Sequence, residues 1–257
     1  MIHVLSLGAG VQSSAMALMA AKGQLNPMPD CAIFADTGAE PEHVYEQLEF
    51  IEKNVPFPVY QVMQGDGLEK AITIVIEGKR FAGAPFFTES ASGGGMLKRQ
   101  CTYDYKIKPV EQKIRQLNGL SKGQRAPKSM VVSLWMGISM DESVRMKPSR
   151  TNWIIHRWPL IEAGMYRYDC SKWMVDNNYP EPKKSACYFC PYHDNATWRD
   201  MKENDPISFE KAVKIDELIR GGVHGTSQKL YLHRSLKPLE ECDLDVNKDQ
   251  FDMFDNE

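Results

Sequence analysis

Short apolar runs alternate with helical patterns through the first 136 residues. Val4 to Leu7, Cys31 to Ala35, Pro58 to Val62 and Met130 to Met136 read as strands. Between them, Ser13 to Lys22, Pro41 to Asn54 and Leu68 to Glu77 read as helices; Val44, Leu48 and Ile51 share one face, and Gly23 closes the first helix. Strands separated by helices return in the same direction, so the pattern predicts a parallel sheet with right-handed crossovers. Ligands of such sheets bind beyond the carboxyl ends of the strands.

From about Trp158 strand-like runs give way to prolines, aromatics and cysteines, with an amphipathic helix over Ile207 to Arg220. The expected architecture is α/β: a Rossmann-like parallel sheet with helices on both faces over residues 1–160, a small helical cysteine-rich C-terminal region over 161–240, and an acidic tail over 241–257. Trp173 and Trp198 are expected to pack the C-terminal region, and Ser90 to Gly95, with three consecutive glycines, reads as a mobile loop.

The chain has 257 residues, 42% hydrophobic and 25% charged, enough for a core without disulfide staples. A net charge of −3 gives no whole-molecule field favouring nucleic acid and leaves room for a local basic patch. No apolar stretch reaches the roughly 20 residues of a spanning helix. The N-terminus lacks a basic start and a cleavage site. The expectation is a cytoplasmic protein without membrane contact; the sequence does not state its oligomeric state.

The first strand runs into Ser6-Leu7-Gly8-Ala9-Gly10-Val11-Gln12-Ser13-Ser14 and then a helix. Gly8, Ala9 and Gly10 allow the backbone close to an anion, the serines supply hydroxyls, and the helix N-terminus supplies free N–H groups. A tight strand-to-helix turn uses the same residues. No Lys precedes the serines, so this is not a Walker loop, and the spacing is not that of the dinucleotide fingerprint. Asp36-Thr37-Gly38 follows the second strand. Gly137 follows the fourth, with Glu142 and Arg145 one helical turn apart. Three polar, glycine-containing loops after three strands belong to one rim of the sheet.

These segments, with Arg99-Gln100-Cys101-Thr102-Tyr103-Asp104-Tyr105-Lys106 and Trp135 to Arg145, resemble in order the motifs of the adenine-nucleotide alpha-hydrolase superfamily, over about residues 1–200. That superfamily includes the PP-loop ATP pyrophosphatases and the phosphoadenylyl-sulfate (PAPS) reductases. Its PP-loop reads Ser-Gly-Gly-x-Asp-Ser; here Gln12 replaces the acid, and Gly-Val-Gln looks more like the sulfonucleotide-reductase variant. The resemblance implies binding of ATP or a PAPS-like adenine nucleotide, with Mg2+ as a companion ion. It places phosphate on Ser6, Gly8, Ala9, Gly10, Gln12 and Ser13, and the nucleoside by Asp36, Thr37, Gly38, Gly137 and Glu142. Arg99, Lys106 and Arg145 are the candidate catalytic cations, neutralising charge that develops in the transition state.

Cys187 and Cys190 form a C-x-x-C, with Cys170 lying 17 residues and Cys101 lying 86 residues upstream of Cys187. Four thiolates suit a structural zinc or a 4Fe–4S cluster, and spacing does not choose. Buried free thiols fit the same residues. The family comparison implies iron–sulfur, with Cys170 as fourth ligand or, failing that, an open iron able to hold a sulfide. Lys98, Arg99, Lys106, Lys108, Lys183 and Lys184 would offset the cluster's charge or hold phosphates.

Sulfonucleotide reductases carry a nucleophilic cysteine in a Glu-Cys-Gly-x-His setting. Here Glu241-Cys242-Asp243-Leu244 lacks the glycine and histidine, and surrounding acids disfavour a thiolate. The leading expectation is therefore nucleotide-dependent sulfur chemistry, of sulfurtransferase type, on a nucleic acid. Sulfonucleotide reduction and a non-catalytic nucleotide sensor or adaptor are the alternatives. The segment Gln250 to Phe254, Gln-Phe-Asp-Met-Phe, resembles the short motif by which bacterial DNA enzymes bind the sliding clamp.

Overall fold

The structure is a computed structural model and describes residues 1–76, 83–90, 93–223, 226 and 228–245. In chain order the strands are β1 (Ile2–Leu7), β2 (Cys31–Asp36), β3 (Val59–Met63), β4 (Phe87–Ser90), β5 (Gly93–Met96), β6 (Val132–Met136), β7 (Ile154–Arg157) and β8 (Leu230–Tyr231). The α-helices are α1 (Val11–Ala21), α2 (Glu42–Asn54), α3 (Leu68–Ile76), α4 (Lys108–Leu117), α5 (Pro159–Glu162), α6 (Arg167–Asp176), α7 (Asn195–Asn204) and α8 (Pro206–Ile219).

The described chain divides into two compact units. Unit 1 comprises Met1–Gly67 and Thr102–Ala186; unit 2 comprises Leu68–Cys101 and Cys187–Glu257. This differs from a linear division at residue 160. The reason is packing: Leu160 of α5 and Cys170 and Met174 of α6 belong to the same apolar cluster as Met16, Leu18 and Ala20 of α1.

Unit 1 is a five-stranded sheet in the order β3-β2-β1-β6-β7, with every pairing parallel. Side chains alternate across the sheet plane. Leu5, Leu7, Ala32, Phe34 and Trp135 face one apolar cluster with α1, α2 and α6. Val4, Cys31, Ile33, Val132, Leu134 and Ile154 face the other, with Val110 and Ile114 of α4. Helices thus cover both faces, and the central strand is β1, whose carboxyl end opens into the glycine loop. β7 escaped the sequence reading because its four residues, Ile-Ile-His-Arg, form an edge that is half polar.

Unit 2 is not purely helical. β4, β5 and β8 form an antiparallel sheet in the order β5-β4-β8. Four-residue β4 and β5 take up the glycine-rich stretch expected to be a mobile loop. Trp198, Phe189, Ile215 and Ile219 are buried. Trp173 packs instead with unit 1, where its indole N–H donates to Gln24 at 2.9 Å. Buried Asp216 accepts the N–H groups of Leu232 (2.7 Å) and Leu239 (3.0 Å) and pairs with Arg220. This carboxylate ties α8 to the segment after β8, and Cys242 and Leu244, inside the stretch 241–257 expected to be a tail, are buried, so the chain stays packed to that point. Gln250 to Phe254 lie outside the described residues. Among the described residues no helix is long and apolar enough to cross a membrane.

Candidate functional site

The loop from β1 to α1 is built on three backbone devices. Ala9 adopts a left-handed conformation (φ 53°), which L-residues disfavour and which turns the chain sharply out of the strand. Ser13 Oγ accepts the Gly8 N–H and donates to the Gly10 carbonyl, both at 3.2 Å, closing the loop on itself. Gly10 caps α1 without a capping side chain, and the first turn holds no acid. An eleven-residue helix thus presents an N-terminus that no side chain caps, the arrangement that attracts an anion. Ser6 lies one step back, within β1, paired to Ile33 and Met136.

Two segments from far along the chain close on this loop. A Cβ on Gly137 would stand 3.1 Å from both the Ser13 nitrogen and its Cα, so the turn after β6 packs directly on the α1 N-terminus. A Cβ on Gly10 would stand 2.8 Å from Ser185 Oγ. Gln12 Nε2 donates to Glu142 Oε2 at 3.2 Å, with Ser139 Oγ at 3.4 Å, and Glu142 pairs with Arg145.

The loop after β2 is a second constructed element. Asp36 accepts the Gly38 N–H at 2.7 Å and the Tyr45 hydroxyl at 3.0 Å; burial, then Asp36, pushes the Tyr45 phenol upward. Gly38 (φ 68°) packs on Gly67 (φ 90°), where a Cβ would lie 2.9 Å from the Thr37 carbonyl. Thr37 is 1% exposed and donates to Glu40 at 2.9 Å. Glu40, its side chain also 1% exposed, receives Lys106 at 3.3 Å, and its second oxygen is buried without a hydrogen-bond partner. Lys106 sits in a π-helical turn, Tyr103–Ile107, which precedes α4 and widens the backbone around it.

Unit 1 therefore brings together Gly8, Ala9, Gly10, Gln12, Ser13, Gly137, Glu142 and Arg145. Asp36, Thr37, Gly38 and Lys106 form a separate linked group at the end of β2. Sequence reasoning missed Glu40, Tyr45, Gly67, Ser139 and Ser185. Glu40 and Tyr45 lie four and nine residues after Asp36, in or just before a helical run, and offered a faint signal; Gly67, Ser139 and Ser185 are ordinary residues whose role appears only in contact.

The cysteines divide. Cys170 is fully buried among the apolar side chains of unit 1, and burial raises its thiol to about 12. In unit 2, Cys187 and Cys190 bracket a turn closed by the Cys190 N–H donating to the Cys187 carbonyl at 2.9 Å. His193 is 4.7 Å from the Trp198 ring, edge to face, and its Nε2 meets the Cys187 carbonyl at 2.9 Å. Arg99 stacks on Tyr192 at 4.9 Å, and the Tyr192 phenol, raised by burial, also feels Cys190 and Cys101. Cys101, Cys187 and Cys190 are partly exposed and free of disulfides. Among the described residues no three His, Cys, Asp or Glu side chains already stand as a metal-holding group. The fit is one of donor chemistry: soft, partly exposed thiols, two of them from one turn. Cys242 is 9% exposed, and burial raises its thiol; its sequence neighbours are not the main cause.

A parallel sheet covered by helices on both faces, its central strand ending in a glycine loop before a helix without a capping side chain, defines the class: an α/β protein of the open parallel-sheet type. Among solved structures the chain is similar to the PAPS reductase of Candida auris in a phosphate complex (13% identity, TM-score 0.46, covering 72% of this chain and 80% of that one). It is also similar to the U34-tRNA thiolase NcsA of Methanococcus maripaludis with its 4Fe–4S cluster (10% identity, TM-score 0.38, covering 85% of this chain and 72% of that one). No family model matches the sequence. No curated protein matches it.

Proposed function

We propose that this chain is an adenine-nucleotide-binding iron–sulfur enzyme that carries out nucleotide-dependent sulfur transfer to a nucleic acid. The observation that carries the reading is the α1 N-terminus, without a capping side chain or a first-turn acid and crowded by Gly137 and Ser185. The amides of this turn bind the phosphates, and Ser13 keeps the loop in shape. Gln12 puts a neutral amide where the PP-loop pattern has an acid, so the first turn of α1 itself carries no negative charge. Arg145, half committed to Glu142, and Lys106, held by Glu40, supply positive charge that offsets charge developing on the phosphates. The loop of Asp36 to Gly38 frames the nucleoside.

Cys101, Cys187 and Cys190 would hold a cluster in unit 2, with Arg99 and Tyr192 packed beside them. Such a cluster supplies a soft iron centre for sulfur. Cys170 is assigned to the core and not to the metal, because it is fully buried in the apolar cluster of unit 1 with Met16 and Leu18 of α1. The buried Cys242, its thiol donating to the Pro238 carbonyl at 3.2 Å, speaks against sulfonucleotide reduction.

The test is incubation of anaerobically prepared protein with ATP, and separately with PAPS plus a thiol donor. Release of AMP and pyrophosphate supports the proposal. Sulfite from PAPS overturns it in favour of the reductase. ATP bound and recovered unchanged indicates a sensor, a reading favoured by Gln12 standing where the acid of the motif belongs.

A further inference from the structure

We propose that the α4 face of unit 1 is a binding surface for the phosphate backbone of a double-stranded nucleic acid. The inference rests on the function proposed above and specifies its acceptor. The whole chain carries −3, yet residues 107–135 hold six Lys or Arg and residues 146–156 two more, against a single acid, Glu111. The first stretch is α4 with its connection into β6; the second leads from the turn after β6 into β7.

One apolar layer holds both stretches on the same side of the sheet. Val110 and Ile114 of α4, Leu120 and Met130 of the connection, and Ile154 of β7 share a cluster, and Trp153 packs against it. Polar bonds fix the surface above that layer. Thr151 Oγ1 donates to Glu111 Oε1 at 2.9 Å, which joins the second stretch to α4 and engages its one acid. Arg115 donates to the Gln124 carbonyl, which draws the turn of Lys122 and Arg125 back onto the last turn of α4. The Met130 N–H donates to the Pro127 carbonyl at 3.0 Å, closing the turn that carries Lys128. His156 Nδ1 meets the Lys147 carbonyl at 2.8 Å, and His156 shares its side of β7 with Ile154.

The cations of this face stand uncompensated. Lys122, Arg125, Lys128, Lys147 and Arg150 are exposed; Lys108, Lys113 and Arg115 are partly so. None of them forms an ion pair among the described residues. On the opposite face of the sheet, by contrast, Lys53 of α2 pairs with Glu49 and Lys172 of α6 with Asp176.

This combination selects its partner. Cations spread along a helix of about 15 Å and two connections are too dispersed for one small anion. Among residues 108–135 and 146–153 no large apolar side chain is exposed. A protein partner therefore finds no anchor for the apolar core of an interface, and unpaired bases find no ring on which to stack. A duplex needs only contacts to a regular phosphate array, with its base edges left unread. Exposed Gln112, Gln116 and Ser129 add neutral donors of the kind that also meet phosphate.

The experiment is fluorescence anisotropy of the full chain with labelled RNA and DNA duplexes of about 20 base pairs, at several salt concentrations. A single strand of the same sequence and polyglutamate serve as comparators. At least one duplex is expected to bind about tenfold more tightly than either comparator. Lys122→Ala/Arg125→Ala/Lys128→Ala is expected to reduce the salt slope by about 2.7, three phosphates' worth. Lys147→Ala/Arg150→Ala is expected to reduce it by about 1.8, two phosphates' worth. Lys53→Ala/Lys172→Ala, on the opposite face, is expected to leave affinity and slope unchanged. Circular dichroism checks that the variants fold. Equal or tighter binding of the single strand or of polyglutamate overturns the proposal. So does a slope unchanged in both α4-face variants, or an equal loss in the opposite-face variant. ATP retention by the same preparations separates the two readings: ATP bound without duplex binding removes this surface alone, and duplex binding without ATP removes the nucleotide reading alone.

Discussion

Gln12 Nε2 lies 3.2 Å from Glu142 Oε2, joining the first turn of α1 to a turn 130 residues later. The amide serves as donor to a carboxylate that also holds Arg145. Gln12→Asp would restore the acid of the PP-loop pattern and set two carboxylates against each other. We expect a loss of about 1 kcal/mol in urea unfolding at neutral pH and weaker ATP retention. An ATP affinity equal to wild type would show that this contact does not shape the loop.

Gly137 and Gly10 should respond differently to alanine. At Gly137 the new methyl meets backbone atoms of Ser13 at 3.1 Å, which cannot move without shifting α1. Gly137→Ala is expected to cost about 1–3 kcal/mol and to abolish nucleotide binding. At Gly10 the obstacle is the Ser185 hydroxyl, which rotates away, so Gly10→Ala should fold normally. Thermal unfolding and ATP retention of the pair check the contrast.

Ala9 holds a left-handed conformation at φ 53°. Ala9→Gly removes a strain of about 1–2 kcal/mol and adds about 0.4–1 kcal/mol of unfolded-chain entropy. The net expectation is an unchanged to slightly raised unfolding temperature with nucleotide binding retained. A clear loss of stability would mean that the Ala9 methyl, 1% exposed, is worth more in packing than the strain costs.

The cysteine assignment predicts a division among variants. Cys101→Ser, Cys187→Ser and Cys190→Ser should each lose the visible absorbance of anaerobic protein. Cys170→Ser should keep it while losing about 1–3 kcal/mol of stability, the cost of a buried hydroxyl without a partner. Colourless protein loaded with zinc would remove the iron–sulfur part of the proposal. Lost colour in Cys170→Ser with its fold intact would restore the fourth ligand.

His233 gives a pH signature. Its Nε2 and Nδ1 meet Asn195 (3.0 Å) and Ser235 (2.7 Å), and burial, with Arg234 nearby, lowers it to about 4 from the ordinary 6.5. The unfolded chain takes up this proton more readily than the folded one. The folded state is therefore unpenalised above pH 6.5 and loses about 3 kcal/mol as pH falls from 6.5 through 4. Urea unfolding at pH 7, 5 and 4 should show the decline in wild type and a shallower one in His233→Gln. Equal slopes would place the acid sensitivity elsewhere.

The sequence alone determined the parallel sheet, because alternating strand and helix periods leave few other ways to bury both faces of Val4 to Leu7 and Cys31 to Asp36. It also determined the loop at Gly8 to Ser14, because glycine, serine and a following helix are local features. Only the tertiary structure decided what meets that loop. Gly137, Glu142 and Ser185 reach it from the second half of unit 1, and no short-range pattern records a contact across 130 residues. The same holds for Cys170: its spacing from Cys187 suited a metal ligand, and only the tertiary structure shows that α6 carries it into the core beside α1. Spacing along a chain gives the reach of a side chain; the neighbours it is packed among set its charge and its role.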